Sequence, residues 1–302
     1  MSAAQSRPLT WLITGASSGI GQSLCKAALV AGHKVAGGTR DVSKARAANP
    51  DFESLGGKWV TLDPGHADSA TAFAAVDLEL GGVDVLVNNA AYAYIGGVED
   101  MSEDKIREQM EVNFFGPMRG VRALLPGMRA RRRGDIVLIS SGAGFIARAS
   151  RGAYSASKWA VEAMHESLSH EVAGLGVRVL IVEPGAFRTA FAARSVMDGT
   201  LNEGYKGTAL DTMYTASSRW DQGQNSAEIA RFLRGDPDKA ASAVVDAVVA
   251  GGEGDTLERG YLRLVLGPDC VGALEEKLGE WERDISATRE VSMSTDLDNP
   301  EA

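Results

Sequence analysis

Short runs of Val, Ile and Leu alternate along the chain with longer segments that have the length of helices. The four clearest runs are Leu9–Thr14, Val83–Asn88, Asp135–Ser140 and Val177–Val182. Continuous apolar runs of this length are typical of strands buried on both faces of a parallel sheet. Weaker strand patterns occur at Lys34–Gly37, Lys58–Leu62 and Tyr261–Leu266.

Helices are predicted in the segments between these strands. They are expected at Ile20–Ala31, Ser69–Glu79, Ser102–Arg131, Tyr154–Ala173 and Pro237–Ala250. Strands that alternate with helices predict an α/β fold with one doubly wound parallel sheet of the Rossmann type, covered by helices on both faces. No segment has the composition of a linker, so we expect a single domain over residues 1–302.

Two segments fall outside this alternation. Residues 190–235 are rich in Gly, Ser, Asn and aromatic residues, which predicts an irregular insertion, and loops of this length in compact domains are often functional lids. The apolar wall of such a lid would come from Phe191, Met197, Tyr205, Met213, Tyr214 and Trp220. Residues 291–302 are polar and acidic and are predicted to form a flexible tail.

Composition narrows the classes of protein that fit this chain. The net charge of -9 argues against a nucleic-acid partner, and 44% hydrophobic residues are enough for a sizeable core. Cys25 and Cys270 are the only cysteines, so we expect neither a disulfide framework nor a metal site. The N-terminal sequence lacks the apolar core of a signal peptide, and no apolar run reaches the roughly 18 residues of a membrane span, so we expect a cytoplasmic protein.

The sequence TGASSGIG, residues 14–21, follows the first strand and opens the first helix. Glycines let the backbone approach a phosphate closely, and the helix N-terminus supplies positive potential. The spacing Gly15, Gly19, Gly21 differs from the G-x-G-x-x-G fingerprint. On these residues alone, a tight turn without a ligand is the alternative.

The sequence YSASK places Tyr154 and Lys158 four residues apart, on one face of a predicted helix. A phenol has a pKa near 10, and a cation one helical turn away favours the phenolate. We therefore expect Lys158 to lower the pKa of Tyr154 and to prepare it as a proton donor. The alternative for a lone pair of this kind is a solvated helix face.

Five motifs together resemble the short-chain dehydrogenase/reductase family. They are TGASSGIG, NNAA at 88–91, SS at 140–141, YSASK and the PG pair at 184–185. They occur in the family's order, and the resemblance covers residues from about 8 to 190. The pattern is most similar to hydroxysteroid- and retinol-dehydrogenase-like members and to microbial ketoreductases. The resemblance implies hydride transfer between a nicotinamide cofactor and a carbonyl or alcohol.

The resemblance also implies a set of site residues. The catalytic group would be Asn113, Ser141, Tyr154 and Lys158, where the family spacing selects Ser141 over Ser140 and Asn113 would hold a water on a proton path. The cofactor would be bound by Gly15, Ser17, Ser18, Gly19, Ile20, Arg40, Asp63, Asn89, Tyr154, Lys158, Phe187 and Thr189. No metal is expected.

The residue after the second strand indicates which nicotinamide cofactor is used. NAD sites usually carry a carboxylate there, whereas this chain has Thr39 and Arg40 in the sequence GGTRD. Arg40 can pair with a 2′-phosphate, and the side chain of Asp41 is expected to point elsewhere. The sequence thus predicts NADP(H), with NAD(H) as the alternative.

The hypothesis is an NADP(H)-dependent oxidoreductase that interconverts a ketone or aldehyde and an alcohol. The resemblance implies a moderately sized apolar substrate, such as a secondary metabolite or a steroid-like compound. It also implies a homodimer or homotetramer formed through helices 102–131 and 154–173. Two alternatives stay open: a non-redox reaction such as isomerisation, dehydration or cyclisation, and a non-catalytic regulatory binding protein.

Overall fold

The structure is a computed structural model that describes residues 7–197, 201–221, 232–249 and 260–297. Its strands are β1 Thr10–Thr14, β2 Lys34–Thr39, β3 Lys58–Thr61, β4 Val85–Asn88, β5 Tyr94–Ile95, β6 Gly134–Ile139, β7 Val177–Pro184, β8 Val196–Met197 and β9 Arg263–Leu266. Its α-helices are α1 Gly19–Val30, α2 Val42–Ala48, α3 Ser69–Leu80, α4 Glu103–Met110, α5 Gly116–Arg131, α6 Gly152–Glu171, α7 Ala209–Asp221, α8 Pro237–Val249 and α9 Pro268–Met293.

Seven strands form one parallel sheet in the order β3-β2-β1-β4-β6-β7-β9. The chain builds outward from β1 to β3 and then returns to β4 on the other side of β1. At this reversal the loops leave in opposite directions and open a crevice at the carboxyl ends of the strands. The predicted doubly wound α/β fold is confirmed, and the site is expected in this crevice.

The central strand shows why the apolar runs are continuous. Trp11 and Ile13 on β1 pack into one hydrophobic cluster with α1 and α8, whereas Leu12 between them packs into a second cluster with α3 and α5. All three side chains are fully buried. Successive side chains point to opposite faces of a strand, so a sheet covered on both sides needs apolar residues at every position.

The segment 102–131, predicted as one helix, is interrupted. Its α-helical parts α4 and α5 are joined by a π-helical stretch at Glu111–Phe115. Asn113 in this stretch is buried, and its side-chain amide donates to Ser157 Oγ at 3.0 Å and to the carbonyl of Tyr92 at 3.0 Å. The apolar periodicity continues across the π-helical stretch, so the sequence pattern does not reveal this stretch. It contains Asn113, whose side chain makes tertiary hydrogen bonds.

The segment 190–235, predicted to be irregular, contains regular structure in its described part. It forms β8, which pairs with β5, and the helix α7. Leu210, Met213, Tyr214 and Ser217 are spaced as one helical stripe and are all partly or fully buried. The prediction missed this stripe because the Gly and Asn residues around it dominate the composition. Residues 198–200 and 222–231 lie outside the described residues.

The C-terminal prediction also needs a correction. Helix α9 extends to Met293, so the first three residues of the predicted tail 291–302 are helical, and residues 298–302 lie outside the described part. Trp281 on α9 packs edge-on against Trp159 of α6, with ring centroids 6.4 Å apart. Among the described helices, none combines the length and the apolar content that a membrane crossing needs.

Candidate active site

The glycine-rich loop between β1 and α1 depends on its glycines for conformation and space. Gly15 and Gly19 have φ values of +63° and +58°, in the left-handed region that other residues rarely adopt. A Cβ added to Gly15 would lie 2.9 Å from the Cα of Ala90, and one added to Gly21 would lie 2.4 Å from Asn89 Nδ2. A side chain at Gly15 or Gly21 would therefore displace the segment that contains Asn89 and Ala90.

Asn89 supports this loop from the neighbouring strand end. Its Nδ2 donates to the carbonyls of Thr14 at 2.8 Å and Gly15 at 3.2 Å. In return, Thr14 Oγ1 accepts hydrogen bonds from the backbone N–H groups of Asn89 and Ala90, both at 3.0 Å. These bonds join the ends of β1 and β4, so Asn89 shapes the loop in addition to lining the cavity.

A cavity of about 720 Å³ opens above the carboxyl ends of the central strands. Its lining includes almost every residue that the sequence predicted for the site. These are Gly15, Ser17, Ser18, Gly19, Ile20, Arg40, Asp63, Asn89, Ser141, Tyr154, Lys158, Phe187 and Thr189. Residues that are up to 174 positions apart in the chain, from Gly15 to Thr189, therefore face one space.

Asn113 is the predicted site residue that does not line the cavity. Its amide nitrogen bonds to Tyr92 and Ser157, as described above, and its Oδ1 accepts from the N–H of Tyr92 at 3.2 Å. The side chain is thus engaged with protein partners, which makes it a link between the loop after β4 and helix α6. The water-holding role assigned to Asn113 stays a prediction.

Ser141, Tyr154 and Lys158 lie together beside the cavity. Tyr154 is 4% exposed, and its hydroxyl interacts with the side chain of Ser141. Lys158 Nζ donates to the carbonyl of Ile139 at 2.9 Å and lies 5.9 Å from the centroid of the Tyr154 ring. Ser140 instead donates its hydroxyl to Glu162, so the structure places Ser141 beside Tyr154 and turns Ser140 away.

The prediction that Lys158 lowers the pKa of Tyr154 is wrong in its net direction. Burial raises the pKa of Tyr154, while the Ser141 hydrogen bond and the positive charge of Arg151 act against that rise. Burial also lowers the pKa of Lys158 to about 8. Desolvation penalises the charged form of both groups, and the spacing of two residues in a sequence does not reveal it. Because its pKa of about 8 is above 7, Lys158 stays mostly protonated at pH 7.

Arg151 is a site residue that the sequence reasoning missed. It lines the cavity three residues before Tyr154, at the start of α6, and its positive charge favours the phenolate. The predicted helix begins at Tyr154, so Arg151 lies outside it and the i, i+3 spacing gave no signal in the sequence.

The segment after β2 brings Arg40 to the cavity and directs Asp41 to helix α2. Arg40 is exposed and lines the cavity. Asp41 caps helix α2 by accepting from the N–H of Lys44 at 3.0 Å and from Ser43 Oγ at 2.6 Å. These hydrogen bonds, led by the one from Ser43, lower the pKa of Asp41 to about 2. The Asp41 carboxylate is thereby directed at its own helix. Asp63 also lines the cavity and accepts from the N–H of Gly65 at 3.1 Å.

The segment after β7 reaches back to the glycine-rich loop. Arg194 Nη1 donates to Ser18 Oγ at 2.6 Å, and a Cβ on Gly19 would lie 3.3 Å from the Cβ of Thr189. The ring of Phe191 packs on the ring of Tyr154 with centroids 5.8 Å apart. Arg194 was also missed, because an arginine inside a segment without recognised periodicity carried no positional signal.

Two backbone hydrogen bonds join Gly235 to the start of the segment after β7. The N–H of Gly235 donates to Ala186 at 2.9 Å, and the N–H of Arg188 donates to Gly235 at 2.8 Å. A further bond from Val196 N–H to the carbonyl of Ala93, at 2.8 Å, docks β8 on β5. The segment is thus held at its base and at one strand, above the cavity.

The predicted apolar wall is present only in part. Phe191 lines the cavity and contacts the Tyr154 ring, whereas Met197 and Tyr214 pack in one hydrophobic cluster with Tyr154 but do not line the cavity. Tyr205 is different, because its hydroxyl donates to Glu99 at 2.7 Å outside the cavity. Met213 is half-buried and does not line the cavity, and the side chain of Trp220 lies outside the described residues.

The fold and the site define a class of protein: a doubly wound sheet with a glycine-rich loop facing a Ser, a Tyr and a Lys from β6 and α6. The model of the short chain dehydrogenase family matches residues 10–198. The chain belongs to this family, whose members are oxidoreductases, and the predicted family is confirmed.

Similar proteins are found among curated sequences and solved structures. Oxidoreductase claN from Passalora fulva is 43% identical over 205 residues, which cover 68% of this chain and 93% of that protein. A short-chain dehydrogenase from Streptomyces avermitilis has a TM-score of 0.80 at 34% identity, covering 97% of this chain and all of that one. A metagenomic short-chain oxidoreductase in complex with NADP has a TM-score of 0.56 at 35% identity, covering 60% of this chain and 83% of that one.

Proposed function

We propose that the protein is an NADP(H)-dependent oxidoreductase that interconverts a ketone or aldehyde and an alcohol on a moderately sized apolar substrate. The observation that carries the proposal is the shared cavity, in which the glycine-rich loop and the Ser141–Tyr154–Lys158 group face each other. Chemistry that needs both a dinucleotide and a proton donor requires this proximity.

The glycine-rich loop fits the phosphates of a dinucleotide. Helix α1 begins at Gly19 without a side-chain cap from Ser18 and without an acidic residue in its first turn. Its first N–H groups are therefore suited to an anion, and the helix dipole adds positive potential. Gly15, Ser17, Ser18, Gly19 and Ile20 would hold the pyrophosphate. Arg40 would pair with the 2′-phosphate, and Thr189 and Phe187 would lie against the nicotinamide, which supplies or accepts the hydride when bound.

The protein's own groups would handle the proton and the charge. A carbonyl oxygen beside Tyr154 and Ser141 would accept a hydrogen bond from each hydroxyl, and Tyr154 would donate the proton as negative charge develops on that oxygen. The ammonium of Lys158, fixed by the carbonyl of Ile139, would stabilise the resulting phenolate. The positive charge of Arg151 would also stabilise the Tyr154 phenolate.

The side chains around Tyr154 support an apolar substrate. Ala93, Ile95 and Phe191 line the cavity next to the catalytic tyrosine. A volume of about 720 Å³ has to hold both a dinucleotide and the substrate, and this favours a substrate of moderate size. A secondary-metabolite ketone or a steroid-like compound meets these requirements.

A screen of carbonyl compounds with NADPH tests the proposed function. Consumption of NADPH should match formation of the alcohol one to one. Product without loss of nicotinamide absorbance would indicate a non-redox reaction. Binding of NADPH without product from any carbonyl or alcohol class would indicate a regulatory binding protein instead.

We predict that residues 190–235 act as a lid over the bound substrate. The hydrogen bond from Arg194 to Ser18 and the contact of Phe191 with Tyr154 hold it against the cofactor loop and the catalytic tyrosine. Amide hydrogen exchange in 190–197 and 201–221 should slow when cofactor and substrate are both present. Helix α3, which does not line the cavity, serves as the internal reference. Equal exchange with and without ligands would exclude a lid role.

A further inference from the structure

Two buried glutamates lie next to each other outside the cavity. Glu162, on α6, is 4% exposed, and Glu183, near the end of β7, is fully buried. Their side-chain carboxyl groups interact with each other. Neither residue lines the cavity, and the mechanism proposed above uses neither of them.

The donors around the pair do not satisfy all of its carboxyl oxygens. Glu162 Oε1 accepts from Ser140 Oγ, and Glu183 Oε1 accepts from Arg263 Nε at 3.1 Å. Glu183 Oε2 is buried and has no N–H or hydroxyl donor among the described residues. Ionised carboxylates only accept hydrogen bonds, so a bond from one carboxyl to the other exists only if one of them carries a proton.

The packing around the pair is built for this contact. A Cβ added to Gly144 would lie 1.8 Å from Glu162 Oε1, so only glycine at this position leaves room for the Glu162 carboxyl. Cys270 Sγ at the start of α9 donates to the backbone carbonyl of Glu183 at 3.3 Å. The pair is thus enclosed by β7, α6, α9 and the turn after β6.

The charges that face the pair come from several elements. On α6 they are Lys158, one turn before Glu162, and Glu166, which accepts from Arg263 at 2.7 Å. His165 on the same helix is buried, and burial lowers its pKa to about 4, so it is neutral. Arg263 extends from β9 to Glu183. Cys270 lies at the start of α9, and the charges of Asp269 and of Arg148, in the loop before α6, act on its thiol. Burial raises the pKa of Cys270 to about 12, which leaves its thiol neutral.

We propose that Glu162 and Glu183 share one proton and act as a positioning pair for the active site. The pair joins the residue before Ser141, the helix that carries Tyr154 and Lys158, and the strand that ends in Pro184. With one proton it holds one negative charge between Arg263 and Lys158. That charge helps to keep the buried ammonium of Lys158 protonated.

The pKa values of the pair point in the same direction. Burial and the negative charge of Glu162 raise the pKa of Glu183 to about 8. An unfolded Glu has a pKa of about 4.3, so the folded protein binds this proton more tightly than the unfolded chain does. The stabilisation is complete below about pH 4 and is lost as the pH rises through about 8.

Thermal unfolding between pH 6 and pH 9 tests the shared proton. The Tm of the wild type should fall across this range by on the order of 5 °C. Glu183→Gln should lose most of this fall, because its amide donates to Glu162 at every pH. Glu166→Gln is the matched control, since it also removes a partner of Arg263 but leaves the pair intact, and it should follow the wild type. If the Tm of Glu183→Gln falls between pH 6 and pH 9 as much as that of the wild type, the proposal of a shared proton is wrong.

Infrared spectroscopy of the wild type gives a second test that does not depend on the folding of any variant. A protonated carboxyl group has a carbonyl band distinct from that of a carboxylate, and this band should be present at pH 7 and absent at pH 10. Absence of the band at pH 7 would contradict the proposal. Its loss in Glu162→Gln or Glu183→Gln would assign it to the pair.

The effect on Lys158 rests on the proposed function and is tested separately. If Lys158 holds the cofactor, NADPH affinity should weaken as Lys158 loses its proton. In the double variant Glu162→Gln/Glu183→Gln, the weakening of NADPH affinity should begin about one pH unit lower than in the wild type. Glu183→Gln alone keeps the negative charge on Glu162 and should resemble the wild type. An unshifted double variant would overturn the role toward Lys158, whereas a wild type that binds no NADPH at any pH would overturn the proposed function and leave the stability and infrared results standing.

Discussion

Tyr154→Phe is expected to lower turnover by at least about two orders of magnitude, the range for a positioned acid. The variant removes the proton that the substrate oxygen would receive but keeps the ring that packs with Ala93 and Ile95. Because the lost hydroxyl is hydrogen-bonded to Ser141, the stability cost should be no more than about 1–2 kcal/mol. The activity loss and the small stability loss together would identify a chemical role.

The measurement is kcat with a substrate found in the NADPH screen, together with Tm for each variant. Tyr261→Phe is the matched control, because its hydroxyl is buried without a hydrogen-bond partner in the described part of the chain and the residue does not line the cavity. It should keep the wild-type rate. If Tyr154→Phe remains folded and retains most of its turnover, Tyr154 is not the proton donor.

Arg40→Ala should weaken NADPH binding by about 10- to 150-fold, the equivalent of a charge-assisted hydrogen bond worth about 1.5–3 kcal/mol. NADH has no 2′-phosphate, so its affinity should change little. The prediction depends on the geometry after β2, where Arg40 lines the cavity and the Asp41 carboxylate is held by Ser43 and Lys44. A free carboxylate in that place would repel the 2′-phosphate.

Dissociation constants for NADPH and NADH, measured by fluorescence titration of wild type and variant, test this prediction. Arg46→Ala is a suitable control, since Arg46 is an exposed arginine on α2 that pairs with Glu53 outside the cavity. Equal losses for the two cofactors in Arg40→Ala would remove the assignment of Arg40. A wild type that prefers NADH would contradict the predicted cofactor preference itself.

Local sequence patterns predicted most of the sheet and much of the site. The strongest apolar runs coincide with β1, β4, β6 and β7, because a strand covered on both faces must be apolar at nearly every position. The glycine spacing and the sequence YSASK are also local, since a turn needs particular residues at particular offsets and a helix brings residues i and i+4 together. The helix α7 stripe was equally local, but the polar residues around it concealed it.

Sequence patterns therefore predicted the order of strands and helices along the chain, the place of the glycine-rich loop, and the residue types that the chemistry requires. Which groups are buried, and what they contact, depends on the tertiary structure. It set the direction of the pKa of Tyr154, because desolvation depends on every segment packed around the ring. It also brought Glu162 and Glu183 together with Ser140. These residues come from three elements that meet because of the order of the strands in the sheet, which no local pattern reveals.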